Sequence, residues 1–136
     1  MAFLFDGHCR LCVNGAGLML RLARPGVVEL VDFQVPGALA SFPEVTHERC
    51  MRAAQLVTID GRVFSGLEAI VRALSTRPIL GLIAGIYFIP GVRQAADVVY
   101  RWVAANRHRF MGRSSCHDAA CALHRRSQDA SRRTSG

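Results

Sequence analysis

The hydrophobic positions of the first third of the chain form two short apolar runs with an amphipathic segment between them. Residues 2–5 are apolar and end at Asp6-Gly7, and residues 27–33 are rich in β-branched and aromatic side chains, so both predict buried strands. Apolar side chains at i, i+4, i+7 and i+11 predict a helix over residues 9–24. Together they predict a right-handed βαβ unit with parallel strands. The stripe expected to face the core comprises Leu11, Gly15, Leu18 and Leu22.

The pattern after residue 33 predicts a loop, a hairpin and a third helix. Residues 34–44 carry proline and glycine and predict a loop, followed by a short helical piece over residues 47–53. Strands over residues 55–59 and 62–64 flank Asp60-Gly61, a dipeptide that favours a type I′ turn. Ser65 and Glu68 have the spacing of a capping box, and the apolar positions behind them predict a helix that ends before Pro78.

Two further helices are predicted in the last third of the chain. Residues 79–88 are apolar on all sides, and this segment is expected to be buried against the sheet. It is shorter than the roughly 20 residues that a membrane span needs, so no span is predicted. No signal-peptide pattern precedes the first strand, and the chain is expected to be cytoplasmic. Residues 92–108 are amphipathic, and their expected core stripe comprises Ala96, Val99, Tyr100 and Val103.

The order β-α-β, then β-β-α, then two helices is that of the thioredoxin fold, although several other α/β folds share it. We therefore predict an α/β, thioredoxin-like fold with two additional C-terminal helices. Residues 1–113 are expected to form this domain. Residues 114–136 are expected to be a Cys/His-containing basic tail that is partly disordered.

Composition and charge narrow the class of protein. A chain of 136 residues with 51% hydrophobic and 20% charged residues is a single globular domain rather than a disordered chain. Most of the net charge of +7 lies after residue 89, where there are nine arginines and three acidic residues. A solvated helix face and the tail account for this charge. Nucleic-acid binding is not predicted, because only Phe110 is interleaved with the basic residues.

The candidate chemistry lies at the junction of the first strand and the first helix, where two cysteines are three residues apart. A helix N-terminus favours a thiolate through its unpaired N–H groups and its dipole, and the thiolate is the nucleophile of disulfide exchange. We predict that Cys9, near the N-cap, is the exposed nucleophile and that Cys12 is the resolving thiol. Asp6 either accepts the Cys12 proton or caps the turn with Gly7, and both alternatives stay open.

These residues resemble a known family. The segment Asp6-Gly7-His8-Cys9-Arg10-Leu11-Cys12 resembles the D-G-x-C-x-L-C opening of the DCC-family predicted thiol-disulfide oxidoreductases. Segments over residues 60–69, 90–93 and 100–107 also resemble that family, so the resemblance covers residues 3–113. It implies a thioredoxin-like fold and disulfide exchange. We expect no cofactor, and we expect protein or low-molecular-weight thiols and disulfides as substrates.

The chain departs from thioredoxins proper before the third strand. Thioredoxins carry a cis-proline there that helps to bind peptide, whereas this chain has Met51-Arg52-Ala53-Ala54. This difference argues against substrate binding by the thioredoxin backbone mode.

The remaining cysteines leave alternatives open. Cys116 and Cys121 are either a second disulfide that exchanges with Cys9 and Cys12, two further ligands of a zinc site with those residues, or part of a reduced tail. The zinc site defines the alternative function, a zinc-stabilised binding module. A non-catalytic interaction domain with a basic tail is a third interpretation. Cys50 is expected to be packed rather than reactive.

Overall fold

The computed structural model of the protein describes residues 1–111, in which a four-stranded sheet is flanked by helices. The strands are β1 (Ala2–Phe5), β2 (Glu29–Asp32), β3 (Gln55–Val57) and β4 (Val63–Ser65). The α-helices are α1 (Arg10–Leu22), α2 (His47–Arg52), α3 (Leu67–Leu74), α4 (Pro78–Tyr87) and α5 (Val92–Met111). A 3₁₀ turn over Ala38–Ser41 lies in the loop before α2.

The sheet confirms the predicted fold class. Its strand order is β2-β1-β3-β4. β1 pairs parallel with β2 and antiparallel with β3, and β3 pairs antiparallel with β4. The parallel β1–β2 pair connected through α1 is the predicted βαβ unit, and the β3–β4 hairpin followed by α3 is the predicted ββα unit. The fold is thioredoxin-like α/β, with α4 and α5 as the two additional helices.

Both faces of β1 are buried, which explains its unbroken apolar run. Phe3 and Phe5 belong to a core cluster shared with α1 and α3 on one face of the sheet. Leu4 belongs to a second cluster on the other face, with Val31 of β2 and Cys50 of α2. The central strand therefore holds the two cores together, and its carboxyl end leads directly into α1.

The predicted core stripe of α1 is wrong. Val13, Ala16 and Met19 are the buried positions of this helix, whereas 57% of Leu18 is exposed. The apolar surface of α1 is wider than one stripe. Two neighbouring stripes therefore have the helical spacing, the predicted one and the one that is buried. Packing on Phe3 and Phe5 selects the stripe that contains the small Ala16 and the flexible Met19.

The hairpin is confirmed, but the predicted type I′ turn is wrong. A type I′ turn needs positive φ at both central residues, and only Gly61 has it, at 76°. Its amide donates to Thr58 O (3.0 Å), and Thr58 N donates to Arg62 O (3.0 Å). The turn is therefore wider, and β3 ends at Val57 rather than at residue 59.

The predicted capping box is also wrong. α3 follows Gly66, whose φ is 68°, and no side chain caps it. The Ser65 hydroxyl instead donates to Gln55 Oε1 (2.5 Å) across the hairpin. Glu68 accepts hydrogen bonds from Arg72 and Arg93, so both members of the expected box are engaged elsewhere.

α4 is not buried against the sheet as predicted. It packs on α3 and α5 through a narrow face that includes Ala84 and Tyr87, while 81% of Leu82 is exposed. Val99 of α5 is likewise exposed, unlike the rest of its predicted stripe. Among the described residues no helix alone has the length and apolarity to cross a membrane. α4 and the Val92–Arg107 part of α5 pass that test only together, and the pair is bent by 94°.

Candidate functional site

A tight turn connects β1 to α1 and places Cys9 at the N-cap of the helix. Cys9 N donates to Asp6 O (3.2 Å), and His8 N donates to Asp6 Oδ1 (3.0 Å). Cys9 has extended backbone angles, and its carbonyl accepts the Val13 amide (2.9 Å), the first bond of α1. Cys12 follows one turn later, so the two thiols lie on the same side of the helix start.

The turn accepts only glycine at position 7. A Cβ atom there would lie 1.9 Å from Asp32 Oδ2, well inside the contact distance of any two atoms. Gly7 N instead donates to Asp32 Oδ1 (3.0 Å), which also accepts Gln34 N (3.0 Å). The carboxyl end of β2 is thereby held against the turn, and sequence reasoning gave Asp32 no role in the site.

Cys9 is fully buried, so the prediction that it is the exposed thiol is wrong. Its exposed fraction is 0%, whereas Cys12 is half-buried. The N-cap position follows from local sequence, whereas the burial of the thiol depends on how distant elements pack around the turn. Among the described residues Cys9 and Cys12 are free thiols, and Cys12 is the one that solvent reaches.

The pKa of the Cys12 thiol is set by burial and by its neighbours, including Cys9. Burial raises the pKa of the Cys12 thiol to about 12, and the hydrogen bond and charge of Cys9 act in the same direction. Arg107 lowers the Cys12 pKa, and Asp6 raises it. At neutral pH Cys12 is therefore protonated.

Arg107 of α5 completes the site, and it is 6% exposed. Its Nη1 lies 3.8 Å from Cys12 Sγ, and its Nη2 donates to Met51 O (2.7 Å) and lies 3.5 Å from Asp6 Oδ2. A planar guanidinium suits such a buried, multiply bonded position. Sequence reasoning assigned the arginines after residue 89 to a solvated helix face and the tail, because no local pattern connects Arg107 with a cysteine 95 residues away.

Asp6 is 2% exposed, and its contacts favour the turn-capping alternative. Its Oδ1 accepts from His8 N and from Gln34 Nε2 (3.0 Å each), and its Oδ2 pairs with Arg107. Asp6 therefore caps the turn by accepting a hydrogen bond from the His8 amide rather than from Gly7. Proton transfer from Cys12 to Asp6 stays a prediction.

Side chains of α5 form hydrogen bonds with the backbone that precedes β3. Ala54 N donates to the Tyr100 hydroxyl oxygen (3.2 Å), and Met51 O accepts from Arg107. No peptide bond among residues 1–111 is cis. These two backbone groups are thus bonded within the chain, and the expectation about the thioredoxin backbone mode stays a prediction.

A cavity of about 300 Å³ opens beside Cys12. Phe3 and Phe5 contribute to its lining, and α1, α3 and α5 supply further walls. Cys12, Asp6 and Arg107 contribute its polar groups, whereas the remaining lining is almost entirely apolar. The α1 stripe that was expected to face the core, from Leu11 to Leu22, lines this cavity instead.

Cys50 is packed, as predicted. It lies on the buried face of α2, and burial raises the pKa of its thiol to about 11 against the influence of Arg49. Within residues 1–111 no group of three or more His, Cys, Asp or Glu side chains is arranged to hold a metal ion. Cys116 and Cys121 lie outside the described residues, so the interpretations that involve them stay predictions.

A thioredoxin-like fold with two free cysteines three residues apart, where the first strand meets the first helix, defines the class of thioredoxin-like C-x-x-C proteins. Comparison with protein families is more specific. The model of the DCC1-like thiol-disulfide oxidoreductase family matches residues 3–113. The chain belongs to this family, as its motifs suggested. No curated protein and no solved structure matches the chain.

Proposed function

We propose that the protein is a thiol-disulfide oxidoreductase whose reactive pair is Cys9 and Cys12. The observation that carries this proposal is the pair of free thiols three residues apart at the start of α1, with the guanidinium of Arg107 against Cys12. Membership of the DCC1-like family supports the reaction class.

The reaction takes two steps and needs no cofactor. The Cys9 thiolate attacks one sulfur of a substrate disulfide, the substrate S–S bond breaks, and the leaving thiolate takes up a proton. Cys12 then loses its proton and attacks the Cys9 sulfur of the mixed disulfide. A Cys9–Cys12 disulfide forms, the second substrate thiol leaves, and two electrons have passed to the substrate. A protein dithiol or a low-molecular-weight thiol reduces the pair again.

The first step requires the turn between β1 and α1 to open, because the exposed fraction of Cys9 is 0% in the resting protein. The electrostatic surroundings of the two thiols support these roles. Cys9 lies at the N-cap of α1, where the N–H groups of the first turn and the helix dipole stabilise negative charge on an attacking sulfur. Cys12, whose pKa is raised to about 12, keeps its proton at neutral pH until the second step. Arg107 lowers the Cys12 pKa, so it assists the ionisation that the second step requires.

Asp6 contributes to the ionisation of Cys12 in two ways. It holds Arg107 in place through their ion pair. A carboxylate offers about four lone-pair sites. His8, Gln34 and Arg107 use three of them, so one is left to take the Cys12 proton, directly or through water.

Serine variants of the two cysteines test the proposal. Cys12→Ser should accumulate a stable mixed disulfide at Cys9 with a disulfide substrate, because the resolving thiol is gone. Cys9→Ser should lose exchange by at least about a thousandfold, which corresponds to about 4 kcal/mol. Mass spectrometry of the trapped species and a turnover assay provide the readouts, and circular dichroism checks folding. Trapping by Cys9→Ser alone would reverse the two roles, and turnover by both variants would refute the proposal.

Alkylation with and without a chelator separates this function from a zinc-stabilised binding module. For the oxidoreductase, the rate of Cys12 alkylation at alkaline pH should be the same with and without the chelator, because no metal ion protects this half-buried thiol. A metal site would protect Cys9 and Cys12 until the chelator strips the ion. Peptide mass mapping assigns the label to each cysteine.

A further inference from the structure

The cavity beside Cys12 carries information about the substrate that the cysteine motif does not. We propose that it binds a large apolar side chain next to the reacting cysteine of a peptide or protein disulfide. This inference rests on the proposed function and adds the class of substrate to it.

The shape and lining of the cavity support an apolar occupant. Its volume of about 300 Å³ lies at the lower end of ligand pockets, which suits one or two side chains better than an extended cofactor. The lining stripe of α1 spans three turns, or about 16 Å at the helical rise. Across from it lie Val103 and Ala104 of α5.

The polar groups of the cavity are already engaged with one another. Arg107 binds Asp6 and Met51 O, so its charge is balanced inside the protein. A small charged disulfide such as glutathione disulfide would place carboxylates against apolar walls, which costs desolvation free energy without a compensating partner. The lining therefore selects an apolar group over a charged one.

A peptide rather than an isolated small molecule fits the open side of the cavity. Leu18 and Leu22 of α1 line the cavity and are also exposed, so a chain can continue past them. The backbone groups of Met51 and Ala54 are bonded to α5 and are not available for pairing with a peptide strand. Recognition must then come from a side chain, and the cavity provides the place for it.

The position of Cys12 connects binding with chemistry. Cys12 lines the cavity, lies one helical turn after Cys9, and carries the exposed surface of the pair. A side chain held in the cavity places the neighbouring substrate sulfur beside Cys12, one helical turn from Cys9.

Gly15 allows a direct test. It lies on the cavity-lining stripe of α1, and a Cβ atom there meets nothing within 4 Å. Gly15→Leu should fill the cavity and improve helix propensity, so the variant should fold at least as well as the wild type. Gly85→Leu is the matched control, because Gly85 is a helical glycine with equally open space in α4 and does not line the cavity.

The probes are two synthetic hexapeptides that differ only in the residue before their single cysteine, leucine in one and asparagine in the other. Each is supplied as a mixed disulfide with glutathione, and mass spectrometry follows release of the peptide thiol by the reduced protein. We expect the leucine peptide to react at least about tenfold faster, the gain typical of burying one large apolar side chain. Gly15→Leu should bring this ratio close to one, and Gly85→Leu should retain it.

The outcomes separate the two proposals. Equal rates for both peptides with the wild type would overturn the apolar-substrate inference and leave the oxidoreductase standing. A ratio that survives Gly15→Leu would also overturn it, since the preference would then arise elsewhere. Failure of the wild type to reduce either peptide would refute the proposed function itself.

Discussion

Arg107 joins three parts of the chain that are distant in sequence. Its guanidinium reaches Cys12 of α1, Asp6 of the preceding turn and Met51 O before β3. Removal of one partner from a buried ion pair leaves an uncompensated charge, which costs more free energy than the pair contributes. The residue therefore acts on both stability and the thiols.

Replacement of this arginine should have two measurable effects. Arg107→Gln should lower the free energy of unfolding by about 3–5 kcal/mol, because Asp6 stays buried without its cation. It should also shift the alkylation of Cys12 to higher pH, because Arg107 lowers the Cys12 pKa. Urea unfolding and pH-dependent alkylation measure the two effects.

Arg109→Gln is the control for that prediction, because Arg109 is an exposed arginine of the same helix. It should change the free energy of unfolding by no more than about 0.5 kcal/mol. An unchanged alkylation profile for Arg107→Gln would show that this guanidinium does not influence the thiol.

Site residues were predictable to the extent that their pattern is local. The local pattern includes Asp6, Cys9 and Cys12, which lie within seven positions and indicate a strand-to-helix junction with two thiols. Asp32 and Arg107 take part because separate elements pack together, and no spacing along the chain encodes that contact. The exposure of Cys9 was mispredicted for the same reason.

At the scale of elements, α1 shows how periodicity leaves a choice open. Its apolar residues span two adjacent stripes, and the side of the helix that meets the sheet is decided by Phe3 and Phe5. The other stripe, from Leu11 to Leu22, lines the cavity beside Cys12.

A pair of alanine variants checks this orientation. Met19→Ala should lower the free energy of unfolding by about 2–5 kcal/mol, because Met19 is buried in the core cluster of α1. Leu18→Ala, one residue earlier and largely exposed, should cost about 0.5 kcal/mol or less. Equal losses in urea unfolding would mean that α1 does not present the described face to the sheet.

At the scale of the whole molecule, several cysteine and tyrosine side chains have raised pKa values, and they make the free energy of unfolding fall at alkaline pH. The Cys50 pKa rises from 9.0 to about 11 and the Cys12 pKa from 9.0 to about 12, in both cases chiefly through burial. Burial also raises the pKa of Tyr100, and that of Tyr87 to about 12. The folded protein keeps these protons at pH values where the unfolded chain releases them.

The free energy of unfolding should therefore be constant below about pH 9 with respect to these groups and fall as the pH rises towards 12. Between these limits the unfolded state binds fewer protons, so the slope with pH is negative. Urea unfolding at pH 8, 9.5 and 11 measures it. Cys50→Ala should reduce the slope between pH 9 and 11, whatever its effect at neutral pH. A stability that rises over this range would contradict the described burial.

The amino-acid sequence by itself determined the order of elements, the parallel β1–β2 unit, the β3–β4 hairpin and the cysteine pair at the start of α1. Each of these depends on the spacing of neighbouring residues, through strand alternation, helical period and turn composition. Only the tertiary structure decided which face of α1 is buried, that Cys9 is covered, that α4 is exposed and that Arg107 meets Cys12. These features depend on how distant elements pack against each other, and their free energy comes from contacts that residues far apart in the sequence make only after folding.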